Sequence, residues 1–418
     1  MSVSFFEGEF TMSILLIKSG KSKGKYRVRI QPVDPLTGKK ISIPSQLTKT
    51  RSKTEAKKLE KQMWHEFHLR KKKESLKLDQ PFAQAFQEFV DDYHVRGKWE
   101  ESTYYDWNYT AKLVKSFFGR QKIKEVREED VDRFAHQYVT QHKTRVAKHT
   151  TVDRQLQNLR SFFSRMRRYG LMVNPVPDSA LTEFFRKSEM TVPDKKYIFT
   201  DAEIGRLKAE IYSELKSSLA IYWGSRLAIL IALETGMRPQ ELQALKWSNL
   251  TTEGNFTVFQ IDDAWCERTK TLNGHLKARA KGDSRKTLSL SEETLCVLNK
   301  YHSAQKKILQ RKGISNKNDF VLLNMIDFYR CSRGLPIAQK TMNDMLKRLS
   351  QKVKVQNGQL RVTMYTCRHT VATKLGNTPG MSYPWAADRM GHSLQMFMRT
   401  YVHPDRDKDQ DMLELSVL

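Results

Sequence analysis

Apolar and polar residues change their period several times along the chain, and each change marks a new element. In KYRVRI, Tyr26, Val28 and Ile30 alternate with Lys25, Arg27 and Arg29. A period of two predicts a strand with one apolar and one basic face. DPLTGKK then supplies a turn through Asp34, Pro35 and Gly38, and ISIPSQL predicts another strand. In TRSKTEAKKLEKQMWHEF the period lengthens, placing Ala56, Leu59, Met63 and Trp64 on one face of a helix. RKKKESLKLDQP, residues 70–81, reads as a linker or a helix end, with Pro81 opening a new segment.

From there to residue 175 the pattern is helical. Phe82, Phe86, Phe89, Val90 and Tyr93 form one stripe, and Val131, Phe134, Ala135 and Tyr138 a second. Leu156, Leu159, Phe162, Phe163 and Met166 form a third. Loops at RGKWEES and GRQK separate them, which predicts a compact bundle of short helices with its aromatics in the core. A Pro-punctuated stretch, 174–199, reads as a connector. TDAE at 200–203 has the form of a capping box. RLAILIALETGMRPQELQALKWSNL predicts an apolar helix, a break at Thr235-Gly236 and a second helix from Pro239. FTVFQI and HLKARAKGDSRKTLSLS predict strands, the latter folded about Gly282-Asp283, and helices follow to the end.

Charge changes the picture. Lys and Arg number 73 against 46 Asp and Glu, a net +27, so the surface attracts polyanions, nucleic acid first among them. Residues 1–74 alone carry 18 basic and 7 acidic side chains. A length of 418 residues with 39% hydrophobic positions suits two to four domains with real cores. No stretch has the ~20 uninterrupted apolar residues of a membrane span. MSVSFFEGEF lacks the order of a secretory signal, and Met12 reads as an alternative start after an acidic extension. Cys266, Cys296, Cys331 and Cys367 show no CxxC spacing, so neither a zinc site nor a disulfide framework is expected, and an intracellular setting is.

Three short pieces carry candidate chemistry. TGMRPQELQALKW puts Arg238 at a helix start with Glu241 one turn on. YTCRHTVATKL holds Arg368 and His369, and MGHSLQMFMRTYVHP holds His392 and Tyr401. Two arginines can each present a planar fork to the oxygens of a phosphorane. Such preorganised charge is commonly the largest catalytic term. A tyrosine can attack phosphorus if nearby charge or a base lowers the cost of its ionisation. A covalent phosphotyrosine would keep the bond energy for resealing, so neither a cofactor nor a metal is required.

Together these pieces resemble the tyrosine recombinase family of phage-type integrases. Its box TG-x-R-x-x-E-L with L-x-W matches Thr235 to Trp247; R-H-T followed by A-T matches Arg368, His369, Thr370, Ala372 and Thr373; and L-G-H-S with a downstream T-Y matches Met390 to His403. LRSFFSRMRRYGLMVNPV and the KYRVR…DPLTGKK module also look like family patterns. The resemblance implies Arg238, Arg368, His392 and the nucleophile Tyr401 as catalytic residues. A hairpin lysine would protonate the leaving oxygen: Lys281 matches best, with Lys277 next. His369 is expected to pack or to act from behind the site. Tyr365 stands where the family has a histidine, which leaves open what deprotonates Tyr401.

The fold class expected is α+β multidomain. An extension (1–12) precedes a small β-sheet plus helix that binds arm DNA (13–74), with Lys25, Arg27 and Arg29 as contacts. An all-α core-binding bundle (78–178), a mainly α catalytic domain with a small β-sheet (195–404) and a tail (405–418) follow. The implied enzyme is a DNA-breaking and rejoining integrase of a temperate phage or mobile element, cytoplasmic and nucleoid-associated in a bacterial host. Its implied partners are double-stranded DNA, three further copies of itself in a tetramer, a DNA-bending host factor and an excision directionality factor. A type IB topoisomerase and a non-catalytic DNA-binding relative are the alternatives.

Overall fold

The computed structural model describes residues 13–33, 40–191, 196–277 and 279–402, with backbone alone over 68–76. The extension 1–12, the turn at Asp34, Pro35 and Gly38, His403 and the tail 405–418 lie outside the described residues. Helix makes up 55% and strand 9%, and every paired strand is antiparallel, the mixed class the pattern predicts. The chain divides into two compact units, Met1–Pro193 and Asp194–Leu418.

The first unit begins with a three-stranded sheet in the order β1 (Ser13–Leu16), β2 (Tyr26–Arg29), β3 (Gln46–Leu47). Helix α1 (Lys53–Leu76) covers one face. Val28 and Ile30 are buried there with Ala56 and Met63, whereas Arg27 and Arg29 point outward. Arg27 lies in register between Leu15 and Leu47, so the outer face carries a guanidinium flanked by two exposed leucines. α1 runs through RKKKESL and ends at Leu76, so of the linker or helix end expected over 70–81 it is the helix end that forms. Lys and Glu are good helix formers and prolong the helix without an apolar stripe.

α2 (Phe82–Val95), α3 (Glu101–Phe118), α4 (Glu128–His142) and α5 (Thr151–Met166) make the bundle. The predicted stripes meet in its core, where Phe82, Phe86, Phe162 and Phe163 are fully buried and in ring contact. The 174–199 segment is more than a connector: it holds a short helix, α6 (Ala180–Phe184), and a bridge from Met190 to Val146.

The second unit is built on α8 (Gly224–Thr235), whose residues Leu227 to Ala232 are all wholly buried. α7 (Asp201–Ser217) precedes it, opened by the predicted box: Thr200 Oγ1 accepts from Glu203 N. α9 (Pro239–Ala244) follows, then a sheet ordered β4 (Leu250–Glu253), β5 (Phe256–Ile261), β8 (Arg285–Lys286). A separate ribbon pairs β6 (Trp265–Cys266) with β7 (Thr271–Leu272). The hairpin expected in HLKARAKGDSRKTLSLS is only half formed: β8 pairs with β5, and the residues before Gly282 form turns. Leu276 is drawn into the core and Arg279 folds back on Ser284 O at 3.3 Å, which takes that arm out of a ladder. α10 (Glu292–Lys312), α11 (Phe328–Ser332), α12 (Gln339–Lys352), α13 (Met364–Gly376), α14 (Tyr383–Met390) and α15 (Leu394–Tyr401) complete the unit. No helix among the described residues is long and apolar enough to cross a membrane.

Candidate active site

The site forms where α8 ends, α9 begins, and α13 and α14 pack against that break. Gly236 ends α8 at φ +63°, and a Cβ there would lie 2.7 Å from Met390 Cε. Glycine therefore allows both the left-handed turn and the close approach of α14. Its carbonyl, left free by the end of the helix, accepts from Arg368 Nη1 at 2.8 Å. Arg238 caps α9, with its backbone N donating to Glu241 Oε2 at 2.8 Å and its Nη1 to Glu241 Oε1 at 2.8 Å. Its Nη2 donates to Gly391 O at 2.8 Å, joining the first and third sequence boxes.

Glu241 is the hub. It is buried, and Arg285 Nη2 donates to its Oε2 at 2.6 Å. Burial would raise its pKa, but Arg285, Arg238 and Arg368 outweigh that and hold the carboxyl at about 2. Burial lowers the affinity of Arg368 and of Arg285 for their protons, and the neighbouring arginines add to this while Glu241 offsets it. One carboxylate thus stands among three guanidiniums, leaving an excess of positive charge. Arg285 Nε is buried with no partner among the described residues.

His392 follows Gly391, whose own φ is +64°. Arg368 Nη2 lies 2.6 Å from His392 Nε2. A guanidinium has only donors, so this ring nitrogen accepts and the proton of the neutral ring sits on Nδ1. Burial and then Arg368, Arg238 and Arg285 push His392 down to about 2, which keeps it neutral. Its Nδ1 is another buried group without a partner among the described residues.

Tyr401 ends α15 and is seated in a small apolar cluster with Val371, Ala387, Met390 and Phe397. Its ring stacks on His392 with centroids 5.4 Å apart and planes 12° from parallel. Its hydroxyl lies 3.1 Å from His369 Nδ1. Burial raises the phenol pKa, and Arg368 and Arg238 pull against that. Burial, Lys196 and Arg368 lower His369 to about 4. So His369, expected to pack or support from behind, touches the phenol oxygen itself.

Tyr365 is exposed and donates to Gln240 Oε1 at 3.1 Å, turned to α9 rather than to the phenol of Tyr401. Lys281 is exposed on the loop before Gly282 and makes no hydrogen bond or ion pair among the described residues; Lys277 is exposed as well. The structure thus gathers Arg238, Glu241, Arg368, His369, His392 and Tyr401, and leaves the lysines at the rim loop. Arg285 is the member that the sequence reading passed over. The signal was indirect: Glu241 has two oxygens, and Arg238 engages one of them with its side chain.

Residues 201–408 match the model of the phage integrase family. This domain belongs to the phage integrase family of tyrosine recombinases. The chain is a site-specific enzyme that breaks and rejoins DNA. Solved structures share the recombinase's fold. The Tn1549 transposon integrase, in complex with transposon right end DNA, is 21% identical over 81% of this chain and 100% of its own, with a TM-score of 0.60. A lambda integrase dimer bound to a core site is 14% identical, with 97% and 98% coverage and a TM-score of 0.50. XerH recombinase bound to a palindromic difH substrate is 17% identical, with 73% and 77% coverage and a TM-score of 0.50. No curated protein matches the recombinase by sequence.

Proposed function

We propose that this recombinase is the integrase of a temperate phage or integrative mobile element. It cuts each strand by attack of Tyr401 on phosphorus, forming a 3′-phosphotyrosine, and later reverses the step onto a new 5′-hydroxyl. The observation that carries this reading is the convergence of Arg238, Arg368 and His392 beside Tyr401, with Glu241 holding Arg238 and the Gly236 carbonyl holding Arg368. The arginine forks stabilise the charge of the phosphorane, and the unpartnered His392 Nδ1–H suits a non-bridging oxygen. Lys281, exposed on the loop before Gly282, gives a proton to the departing 5′-oxygen when the loop meets DNA.

Duplex DNA is the partner, supported by the net +27 charge and by the relatives solved on DNA. Residues 13–74 take arm sites through Lys25, Arg27 and Arg29, while 78–178 and 195–404 each bind the core site. Exchange needs two duplexes with two cleavages on each, so the working form is a homotetramer. A DNA-bending host factor and an excision directionality factor complete the assembly, in the cytoplasm of a bacterial host. The test uses supercoiled plasmids carrying duplexes that the wild-type chain captures covalently from a randomised pool. Exchange of flanking DNA between two such sites is expected; relaxation with no exchange would make the chain a topoisomerase instead.

A further inference from the structure

The phenol of Tyr401 has one hydrogen-bonding neighbour among the described residues, His369 Nδ1 at 3.1 Å. The other groups able to take its proton are committed elsewhere. His392 presents its ring face to Tyr401 and uses the lone pair of Nε2 on Arg368. The proton left on Nδ1 makes the far side of that ring a donor. Tyr365 is a phenol that donates to Gln240. Glu241 receives both its arginines and stays ionised as their counter-charge.

We propose that His369 is the general base of this recombinase, taking the proton of Tyr401 during cleavage. The inference rests on Tyr401 being the nucleophile. As the Tyr401 Oη–P bond forms, the phenol proton passes to Nδ1 of His369. The bond from phosphorus to the 5′-oxygen breaks, and that oxygen leaves with a proton from Lys281. In rejoining, the incoming 5′-hydroxyl gives its proton to the neutral Lys281 and displaces the tyrosine, which takes its proton back from His369.

The site fits a base that works only while the bond is being made. His369 lies next to Arg368 on α13 and faces Lys196 from the segment before α7, with Tyr401 and His392 brought in by α15 and the turn before it. Both cations oppose an imidazolium, so the resting ring is neutral, and with the phenol O–H donating across the 3.1 Å contact Nδ1 is the nitrogen that accepts. A phosphate bound between Arg368 and Arg238 supplies the negative charge that a protonated His369 needs. This chain lacks a histidine at 365, and the pairing of His369 with Tyr401 provides one from four residues further along the same helix.

The test is single-turnover cleavage of a nicked duplex captured from the randomised pool. His369→Ala is expected to cleave about 10²–10³-fold more slowly at neutral pH, the usual share of a general base. Added imidazole should restore at least tenfold of that loss. His369→Gln keeps a hydrogen-bonding side chain without a basic nitrogen, and its rate should climb in proportion to hydroxide as the phenol ionises unaided. A 5′-bridging phosphorothiolate, whose sulfur leaves without a proton, should rescue Lys281→Ala and leave both His369 variants slow. Neutral-pH cleavage by His369→Gln within threefold of wild type would overturn the proposal, as would rescue of both His369 variants by the phosphorothiolate. Absence of any adduct from the wild-type chain would instead overturn the nucleophile reading beneath it.

Discussion

Arg285 Nη2 donates to Glu241 Oε2 at 2.6 Å, and both side chains are almost completely shielded from water. This pair fixes β8 to α9, and the same carboxylate orients the guanidinium of Arg238. Removing one partner of a buried ion pair leaves an uncompensated charge, at a cost of about 3–5 kcal/mol. Glu241→Gln should therefore lower the unfolding free energy by about that amount at pH 7, measured by urea denaturation. The sign with pH follows from the depressed pKa. A carboxyl at about 2 when folded and 4.5 otherwise stabilises the fold above the higher value and loses that contribution as pH falls through the lower. Wild type should lose stability between pH 5 and 2 more steeply than Glu241→Gln. Glu214, also held at about 2 by its basic partners, titrates in both proteins, so the difference isolates Glu241.

Gly391 brings the third box against the first. A Cβ on this residue would lie 2.9 Å from Arg285 Nε and 3.2 Å from Arg238 Nη1, on a backbone with φ +64°. Gly391→Ala should destabilise the fold by about 1–2 kcal/mol, yet reduce cleavage by far more than that implies, because it moves the phosphate-binding fork. Parallel melting and single-turnover cleavage measure the two effects. Equal, small losses in both would contradict this role.

Much of this site was legible because its parts are local. Arg238 and Glu241 share one turn of helix, and the Gly236 and Gly391 turns stand beside their functional neighbours in the chain. Arg285 was illegible for the opposite reason. KARAKGDSRK offers several cations, and only the pairing of β8 with β5 selects which one is buried. The same holds for His369, whose contact with Tyr401 depends on how α13 and α15 pack. The helical stripes predicted the bundle because apolar period and core face coincide there. The run at 70–81 reads as a linker or a helix end, and the choice stayed open because a helix without an apolar stripe leaves no periodic trace.

Tyr365 occupies the place of a family histidine but is exposed and bonded to Gln240. Tyr365→Phe removes that hydrogen bond and leaves Tyr401, His369 and the arginines in place. Cleavage of the captured nicked duplex should fall by less than tenfold. A loss of a thousandfold would assign the Tyr365 hydroxyl to the phosphate.

The outer face of the small sheet makes a prediction about salt. Arg27 and Arg29 project from β2 away from α1. Each phosphate contact removed should lower the slope of log affinity against log salt by about 0.9. The double variant Arg27→Ala/Arg29→Ala in the full chain should bind arm-site duplex more weakly and with a shallower slope, by fluorescence anisotropy across a salt series. Catalysis on a core-site duplex should be unchanged.

The central claim is that Tyr401 bonds to DNA, and mass spectrometry of the covalent adduct tests it most directly. Wild-type chain trapped on the nicked duplex and digested with protease should yield one nucleotide-modified peptide, with the phosphate on Tyr401. Tyr401→Phe should give no adduct. A modification mapped to Tyr365 or any other residue, or an adduct that survives Tyr401→Phe, would contradict the account.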